Sequence, residues 1–207
     1  MTQYFKVHPI NPQRRLLQRA VDIVRNGGII VYPTDSSYAF GWHFGDKAAL
    51  DKIRWIRQTE RDHDFTLACR DLSEIATYAR VDNWEYRLLR AHTPGPYTFV
   101  LRATHETPKR LQDPKRRSIG IRVPDHPIAQ GLLDALGEPL MSSTLLLPGD
   151  ALPLTEPEDI RARLEKLVDA IVDGGACGVE PTSVIDLSRG EVVVLRKGKG
   201  DVSAFET

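Results

Sequence analysis

The segment Pro33-Thr34-Asp35-Ser36-Ser37-Tyr38 packs four hydroxyl side chains and one carboxylate into the turn after an apolar run, Ile29-Ile30-Val31-Tyr32. Strand ends in α/β sheets are where ligands bind. Hydroxyls placed there can hold the amino and carboxylate groups of a small polar metabolite, with Tyr38 walling the pocket. The same residues also suit a capped turn whose hydroxyls satisfy local amides, and the spacing alone leaves both readings open. Arg122 sits inside the apolar run Ser118-Ile119-Gly120-Ile121-Arg122-Val123. A guanidinium buried in a strand requires an anion, so Arg122 has either a carboxylate partner or an anionic ligand. Thr98 follows Thr93-Pro94-Gly95-Pro96-Tyr97, a rigid turn leading into a further strand.

Three basic groups could face phosphates. Arg54, Arg57 and Arg61 recur at one helix end; Lys109, Arg110, Lys115, Arg116 and Arg117 form a block relieved only by Asp113; Arg196-Lys197-Gly198-Lys199-Gly200 forms a third stretch. Each also fits a solvated surface. The 109–117 block is the best placed for contact with an RNA backbone.

The elements that must position these residues follow from periodicity. Leu16, Leu17, Ala20, Val21 and Val24 predict a helix over 13–26 closed at Gly27-Gly28, and 29–32 reads as a buried strand stopped by Pro33. Asp46 caps a helix to about 58, and capping boxes at Asp71/Glu74 and Asp82/Glu85 open two more. Further strands fall at 65–69, 97–101, 119–123, 139–142, 168–172, 183–187 and 191–195, with helices at 127–136 and 157–167. Interleaved helices and strands, without repeat or linker, predict one α/β domain over 1–207, with about 10–200 as its core.

Charge narrows the function classes. With 28 Lys+Arg against 28 Asp+Glu, a general polyanion-coating protein is excluded, while a local basic face is not. The six histidines include no i, i+3 or i, i+4 pair, so no dedicated metal site is expected. Phosphate-loop, dinucleotide and nucleophile-elbow motifs are absent from the sequence. No apolar run reaches membrane-spanning length, and two distant cysteines suit reduced thiols, so a cytoplasmic protein without a membrane partner is expected. Without heptads, a monomer is the expectation.

The stretch 28–41, GIIVYPTDSSYAFG, resembles the P-T-[ED]-[TS]-x-Y-x-[LF]-G signature of the YrdC-like domain, the threonylcarbamoyl-AMP synthase family. TPGPYTFVL, IGIRVPDHP, PLMSST, PTSVIDL and VVVLRKG resemble the remaining family blocks in order, and IRQ, FTLACRDLS and LLLPG are similar to the stand-alone YciO branch. The resemblance implies a YrdC-like fold: a twisted, mostly parallel-looking sheet flanked by helices, with a large positively charged concave cavity. It implies L-threonine, bicarbonate and ATP with Mg²⁺ as ligands, no permanent cofactor, and threonylcarbamoyladenylate as a product used in tRNA t6A37 modification. By position, Thr34, Tyr38 and Arg122 match the threonine and bicarbonate end, and Arg57, Thr59, Thr98, Thr144, Ser183 and Arg196 the nucleotide end.

Two positions depart from the synthase pattern. Its K-x-R reads Arg57-Gln58-Thr59 here, and its S-x-N reads Thr144-Leu145-Leu146. Each lost charge-assisted contact costs about 1.5 to 3 kcal/mol, so ATP use is expected to fall by about 10²-fold or more. Arg61 or Arg70 is a candidate replacement cation. Two alternatives accompany the synthase reading: a double-stranded RNA or tRNA binder using the cationic cavity without synthase activity, and an enzyme acting on threonylcarbamoyl-adenosine in tRNA.

Overall fold

Leu17, Ala20, Val21 and Val24 share one helical stripe, and the helix Arg14–Arg25 (α1) buries all four. It ends where Gly27 takes φ 80°, a left-handed conformation open to a residue without Cβ. The computed structural model describes residues 1–59, 65–113 and 115–206, so Arg61 lies outside the described residues. The helix Lys47–Arg57 (α2) starts where the Asp46 carboxylate accepts the Ala49 N–H at 2.8 Å. Leu72–Tyr78 (α3) starts at Asp71, which accepts the Glu74 N–H at 2.9 Å, while the Glu74 carboxylate takes the Arg70 N–H. Asn83–His92 (α4) opens with the Glu85 carboxylate on the Asp82 N–H. Pro127–Leu136 (α5) and Pro157–Leu164 (α6) both begin with proline, whose missing N–H is not needed in a first turn.

The strands are β1 (Gln3–Lys6), β2 (Ile30–Pro33), β3 (Tyr38–His43), β4 (Thr66–Ala68), β5 (Tyr97–Arg102), β6 (Ser118–Arg122), β7 (Leu140–Thr144), β8 (Ala170–Asp173), β9 (Ser183–Asp186) and β10 (Val193–Arg196). They form one ten-stranded sheet in the order β1-β8-β2-β3-β7-β4-β6-β5-β9-β10. Four neighbouring pairs are parallel and five antiparallel. The sheet is therefore mixed as expected, but not mostly parallel.

The cause of that correction is β3. Pro33 is the last residue of β2 and pairs with Tyr38, and Thr34–Ser37 is the tip of an antiparallel hairpin. Periodicity could not find β3, because Tyr38–Trp42 is buried on both faces and shows no alternation. Its Gly41 is required by close packing, since a Cβ there would lie 2.8 Å from the Leu140 side chain and 2.9 Å from the Tyr32 ring. The amino-terminal β1, which the sequence pattern did not mark, pairs in parallel with β8.

The sheet has a core on each face. Phe40, Leu67, Phe99 and Ile121 pack with Ile53 of α2, Ile75 of α3, Leu89 of α4 and Leu164 of α6. On the other face Ile30, Tyr32, Leu140 and Val172 pack with Val21 of α1 and Leu132 of α5. Strand alternation then sets up the site. Phe99, Leu101, Ile119 and Ile121 point into the first core, and their alternates Thr98, Val100, Ser118, Gly120 and Arg122 line a cavity on the opposite face.

Candidate functional site

The cavity has a volume of about 570 Å³, within the range of small-ligand sites. At one end lies the β2–β3 hairpin tip. The Thr34 hydroxyl accepts the N–H groups of Ser36 and Ser37, each at 3.2 Å, and donates to the Ser37 carbonyl at 2.7 Å. The capped-turn reading therefore holds for Thr34, and the capped turn also forms the cavity wall, because Thr34, Ser36 and Ser37 all line it.

Arg122 rises from the end of β6 beside this tip, 6 % exposed. Its carboxylate partner is Asp35, which holds one terminal nitrogen; the other lies 3.3 Å from the Ser36 hydroxyl. Asp35 is itself anchored: its second oxygen accepts the Asp125 N–H at 3.1 Å, and its carbonyl accepts from the Lys199 ammonium. The Arg122 Nε is buried and has no hydrogen-bond partner among the described residues. A buried N–H left unpaired costs about 1–3 kcal/mol, which an entering carboxylate or carbonyl oxygen would recover. The cavity end thus combines a charge-clamped arginine with an unused donor and a hydroxyl-rich turn, a set suited to an amino acid or carbamate.

Arg57 and Arg196 line the cavity as well. Arg57 ends α2 and donates to the Ser143 hydroxyl and, through Nε at 3.4 Å, to the Leu146 carbonyl. Arg196 ends β10 and donates from Nε to the Thr182 carbonyl at 3.0 Å and from a terminal nitrogen to the Thr182 hydroxyl at 3.2 Å. Burial pulls the pKa of both guanidiniums below the ordinary arginine value. Thr98, which the β5–β6 register sets beside Arg122, also lines the cavity and shares a 2.9 Å hydrogen bond with Thr182. Thr144 and Leu146 line the wall beside Arg57, while Leu152, Val179 and Leu195 give the rim partly exposed apolar surface.

Three expected residues stand elsewhere. Tyr38 is fully buried, and its hydroxyl donates to the Gly175 carbonyl at 2.7 Å and accepts the Gly174 N–H at 3.2 Å. It braces the hairpin from behind rather than walling the pocket, and burial pushes its phenol pKa well up. Ser183 is also fully buried; its hydroxyl donates to the Gly200 carbonyl at 2.6 Å and accepts the Gly198 N–H at 2.9 Å, pinning the strap after β10. A Cβ on Gly198 would lie 2.3 Å from the Pro181 carbonyl oxygen, so the strap needs glycine there. Thr59 does not line the cavity, and its hydroxyl is buried without a partner among the described residues. Arg70, the other candidate replacement cation, is instead paired with Asp71 at 3.1 Å outside the cavity lining.

The 109–117 block does not converge on the cavity. Lys109, Arg116 and Arg117 line a separate cleft, Arg110 donates to the carbonyls of Phe44 and Gly45, and Lys115 is exposed. Reasoning from sequence placed Ser36 in the hydroxyl turn and missed Ser142, Ser143 and Thr182 as lining residues. The serine pair in Met141-Ser142-Ser143-Thr144 and the threonine before Ser183 were the available signals, since hydroxyls inside an apolar strand need a reason. Among the described residues no group of three or more His, Cys, Asp or Glu converges as a metal site. No described helix is long and apolar enough to cross a membrane.

Comparison with known proteins places this geometry. The chain is 55% identical over 205 residues to the uncharacterized protein YciO of Escherichia coli K12, covering 99% of this chain and all of that one. The crystal structure of E. coli YciO superposes with a TM-score of 0.95 over 99% of this chain and 100% of that one. The crystal structure of P. abyssi Sua5 complexed with L-threonine shares the fold at a TM-score of 0.85 and 22% identity, over 95% of this chain and 58% of that one. The family model Sua5_yciO_yrdC, described as telomere recombination, matches residues 22–198, and the chain belongs to that family.

Proposed function

We propose that the cavity binds L-threonine and an adenine nucleotide and forms L-threonylcarbamoyladenylate, at reduced efficiency with ATP. The observation that carries this reading is the buried Nε of Arg122, unpaired among the described residues and beside the Thr34–Ser37 tip, in a cavity also lined by Arg57 and Arg196. Support comes from a Methanocaldococcus jannaschii relative, 27% identical over 196 residues, that bears the provisional name threonylcarbamoyl-AMP synthase. Further support comes from the family neighbour solved with L-threonine.

In this reading the threonine amine forms an N–C bond to the carbon of bicarbonate, releasing water and giving a carbamate. A carbamate oxygen then attacks the α-phosphorus of ATP, which arrives with Mg²⁺, and the bond to pyrophosphate breaks. Arg122 and the hairpin hydroxyls hold the carboxylate-like groups. Arg57 and Arg196 offset phosphate charge. Two features weaken the phosphate end: Thr59 supplies no cation, and Leu146 presents an apolar side chain to the wall. Purified protein given threonine, bicarbonate, Mg²⁺ and labelled ATP releases pyrophosphate only when threonine is present. Pyrophosphate release unaffected by threonine at high enzyme concentration contradicts the reading.

That weak phosphate end favours a second reading, in which the same cavity acts on threonylcarbamoyl-adenosine within tRNA, where no triphosphate has to be held. Modified tRNA incubated with the protein then loses the modified nucleoside, and loses none with Arg122→Gln. A binder of tRNA or double-stranded RNA without chemistry would leave the nucleoside intact in both.

A further inference from the structure

Beyond the cavity, the structure gathers a second set of cations that the sequence scatters over nearly forty residues. Arg80 follows α3, Arg102 ends β5, Lys109 lies on the loop after β5, and Arg116 and Arg117 precede β6. All five line a cleft of about 730 Å³ that shares no lining residue with the cavity. The two sites lie along the same strand: Thr98 and Val100 of β5 face the cavity, and Arg102, about 7 Å further on, faces the cleft.

The walls of the cleft are fixed by the backbone. Arg80 N–H donates to the Arg102 carbonyl at 2.7 Å, Ala103 N–H to the Arg117 carbonyl at 2.8 Å, and Arg117 N–H to the Asp113 carbonyl at 2.8 Å. Arg117 is held at φ 52° in the left-handed region, an uncommon conformation for a non-glycine residue. The acid in the cleft, Asp113, is occupied: one carboxylate oxygen accepts the N–H groups of Lys115 and Arg116 at 2.8 and 2.7 Å. Two of the cations are held by carboxylates, Arg102 by Asp82 at 2.6 Å and Arg116 by Asp186 at 3.4 Å. The side chains of Arg80, Lys109 and Arg117 have no ion-pair or hydrogen-bond partner among the described residues. Three cations without a paired carboxylate, set against the single carboxylate of Asp113, leave the cleft lining net positive and attract multivalent anions.

We propose that this cleft binds a run of consecutive phosphates through Arg80, Lys109 and Arg117, with Arg102 and Arg116 as carboxylate-fixed donors beside them. The phosphates belong either to the phosphodiester backbone of an RNA or to a free polyphosphate. The site is independent of the chemistry proposed for the cavity.

The test uses the full chain and the variant Arg80→Gln/Lys109→Gln/Arg117→Asn, asparagine being the residue that best tolerates the left-handed conformation at 117. Arg80→Glu/Lys109→Glu serves as a second variant that leaves position 117 intact. Binding of a labelled RNA hairpin is followed by fluorescence anisotropy between 50 and 200 mM KCl, and inorganic tripolyphosphate is then used as competitor. Loss of three phosphate contacts lowers the slope of log affinity against log salt by about 2 to 3. The hairpin is expected to bind the triple variant at least tenfold more weakly than wild type at 100 mM KCl. Displacement of the hairpin by tripolyphosphate far below the ionic strength at which KCl displaces it assigns the cleft to free polyphosphate. Displacement only at matched ionic strength assigns it to the phosphodiester backbone. Equal affinity and equal salt slope for wild type and both variants overturns the proposal, as does absence of saturable binding of either probe to wild type. Threonine-dependent pyrophosphate release, measured in the same variants, stays at the wild-type level, so failure of the cleft and failure of the cavity reading are told apart.

Discussion

The clamped arginine makes a prediction with a definite size. The side chains of Arg122 and Asp35 are 8 % and 9 % exposed, so little solvent screens either charge. Asp35→Ala leaves the guanidinium buried with the Ser36 hydroxyl as its one hydrogen-bond partner among the described residues, and breaking such a pair from one side costs about 3–5 kcal/mol. In a domain of this length each kcal/mol moves the melting temperature by about 2–4 °C, so Asp35→Ala is expected to lower it by about 6–20 °C. Removing both charges, in Asp35→Ala/Arg122→Met, leaves no uncompensated ion. The double variant is therefore more stable than Asp35→Ala alone, and the cycle gives a coupling energy of about 2–3 kcal/mol. Urea denaturation of the four proteins, read by circular dichroism, measures each corner. A loss below about 1 kcal/mol for Asp35→Ala, or additivity within about 0.5 kcal/mol, would refute the reasoning. Arg122 would then be a solvated cation rather than an oriented one.

Other outcomes follow from the same contacts. Restoring the synthase-type amide at the cavity wall with Leu146→Asn raises threonine-dependent pyrophosphate release by about 10-fold or more; an unchanged rate contradicts the assignment of this position to the phosphates. His126 caps α5 by accepting the Ile128 N–H at 3.2 Å, and burial lowers its pKa. Because the unfolded chain protonates first, stability is complete above the unfolded pKa near 6.5 and declines as pH falls through the folded value. His126→Asn keeps a cap and flattens that decline in a pH series of melting curves. Tyr4 donates to Asp173 at 2.7 Å, and burial followed by this bond pushes its pKa up to about 12. Its contribution is present below pH 10 and is lost as pH rises toward 12, so Tyr4→Phe shows a shallower alkaline decline than wild type. Asp46→Ala removes the α2 cap and costs about 1 kcal/mol in chemical denaturation.

What the sequence made legible was what local chemistry dictates. Asp46, the Asp82/Glu85 box and Pro127 marked helix starts within a residue or two, because each satisfies or removes an orphan N–H of a first turn. The hydroxyl turn and Arg122 were recognisable because their residue types sit where an apolar strand cannot hold them unpaired. β3 was illegible, since a strand buried on both faces loses alternation, and with it went the hairpin that makes the sheet mixed. Tyr38 and Ser183 were misplaced for a related reason. Each lies beside true lining residues, and in a strand a one-residue step reverses the face. The convergence of Arg80 and Arg102 with Lys109, Arg116 and Arg117 depends on strand pairing and the closure of loops, which spacing does not show.

The central claim is that one cavity seats threonine at the Arg122 end and a nucleotide toward Arg57 and Arg196. A crystal structure of the protein with L-threonine and a non-hydrolysable ATP analogue tests it most directly. The account predicts the amino acid carboxylate on Arg122 Nε beside the Thr34–Ser37 tip, with the analogue's phosphates directed to Arg57 and Arg196. A cavity empty of threonine at saturating concentration, or an analogue bound only at the Arg80, Lys109 and Arg117 cleft, would contradict it.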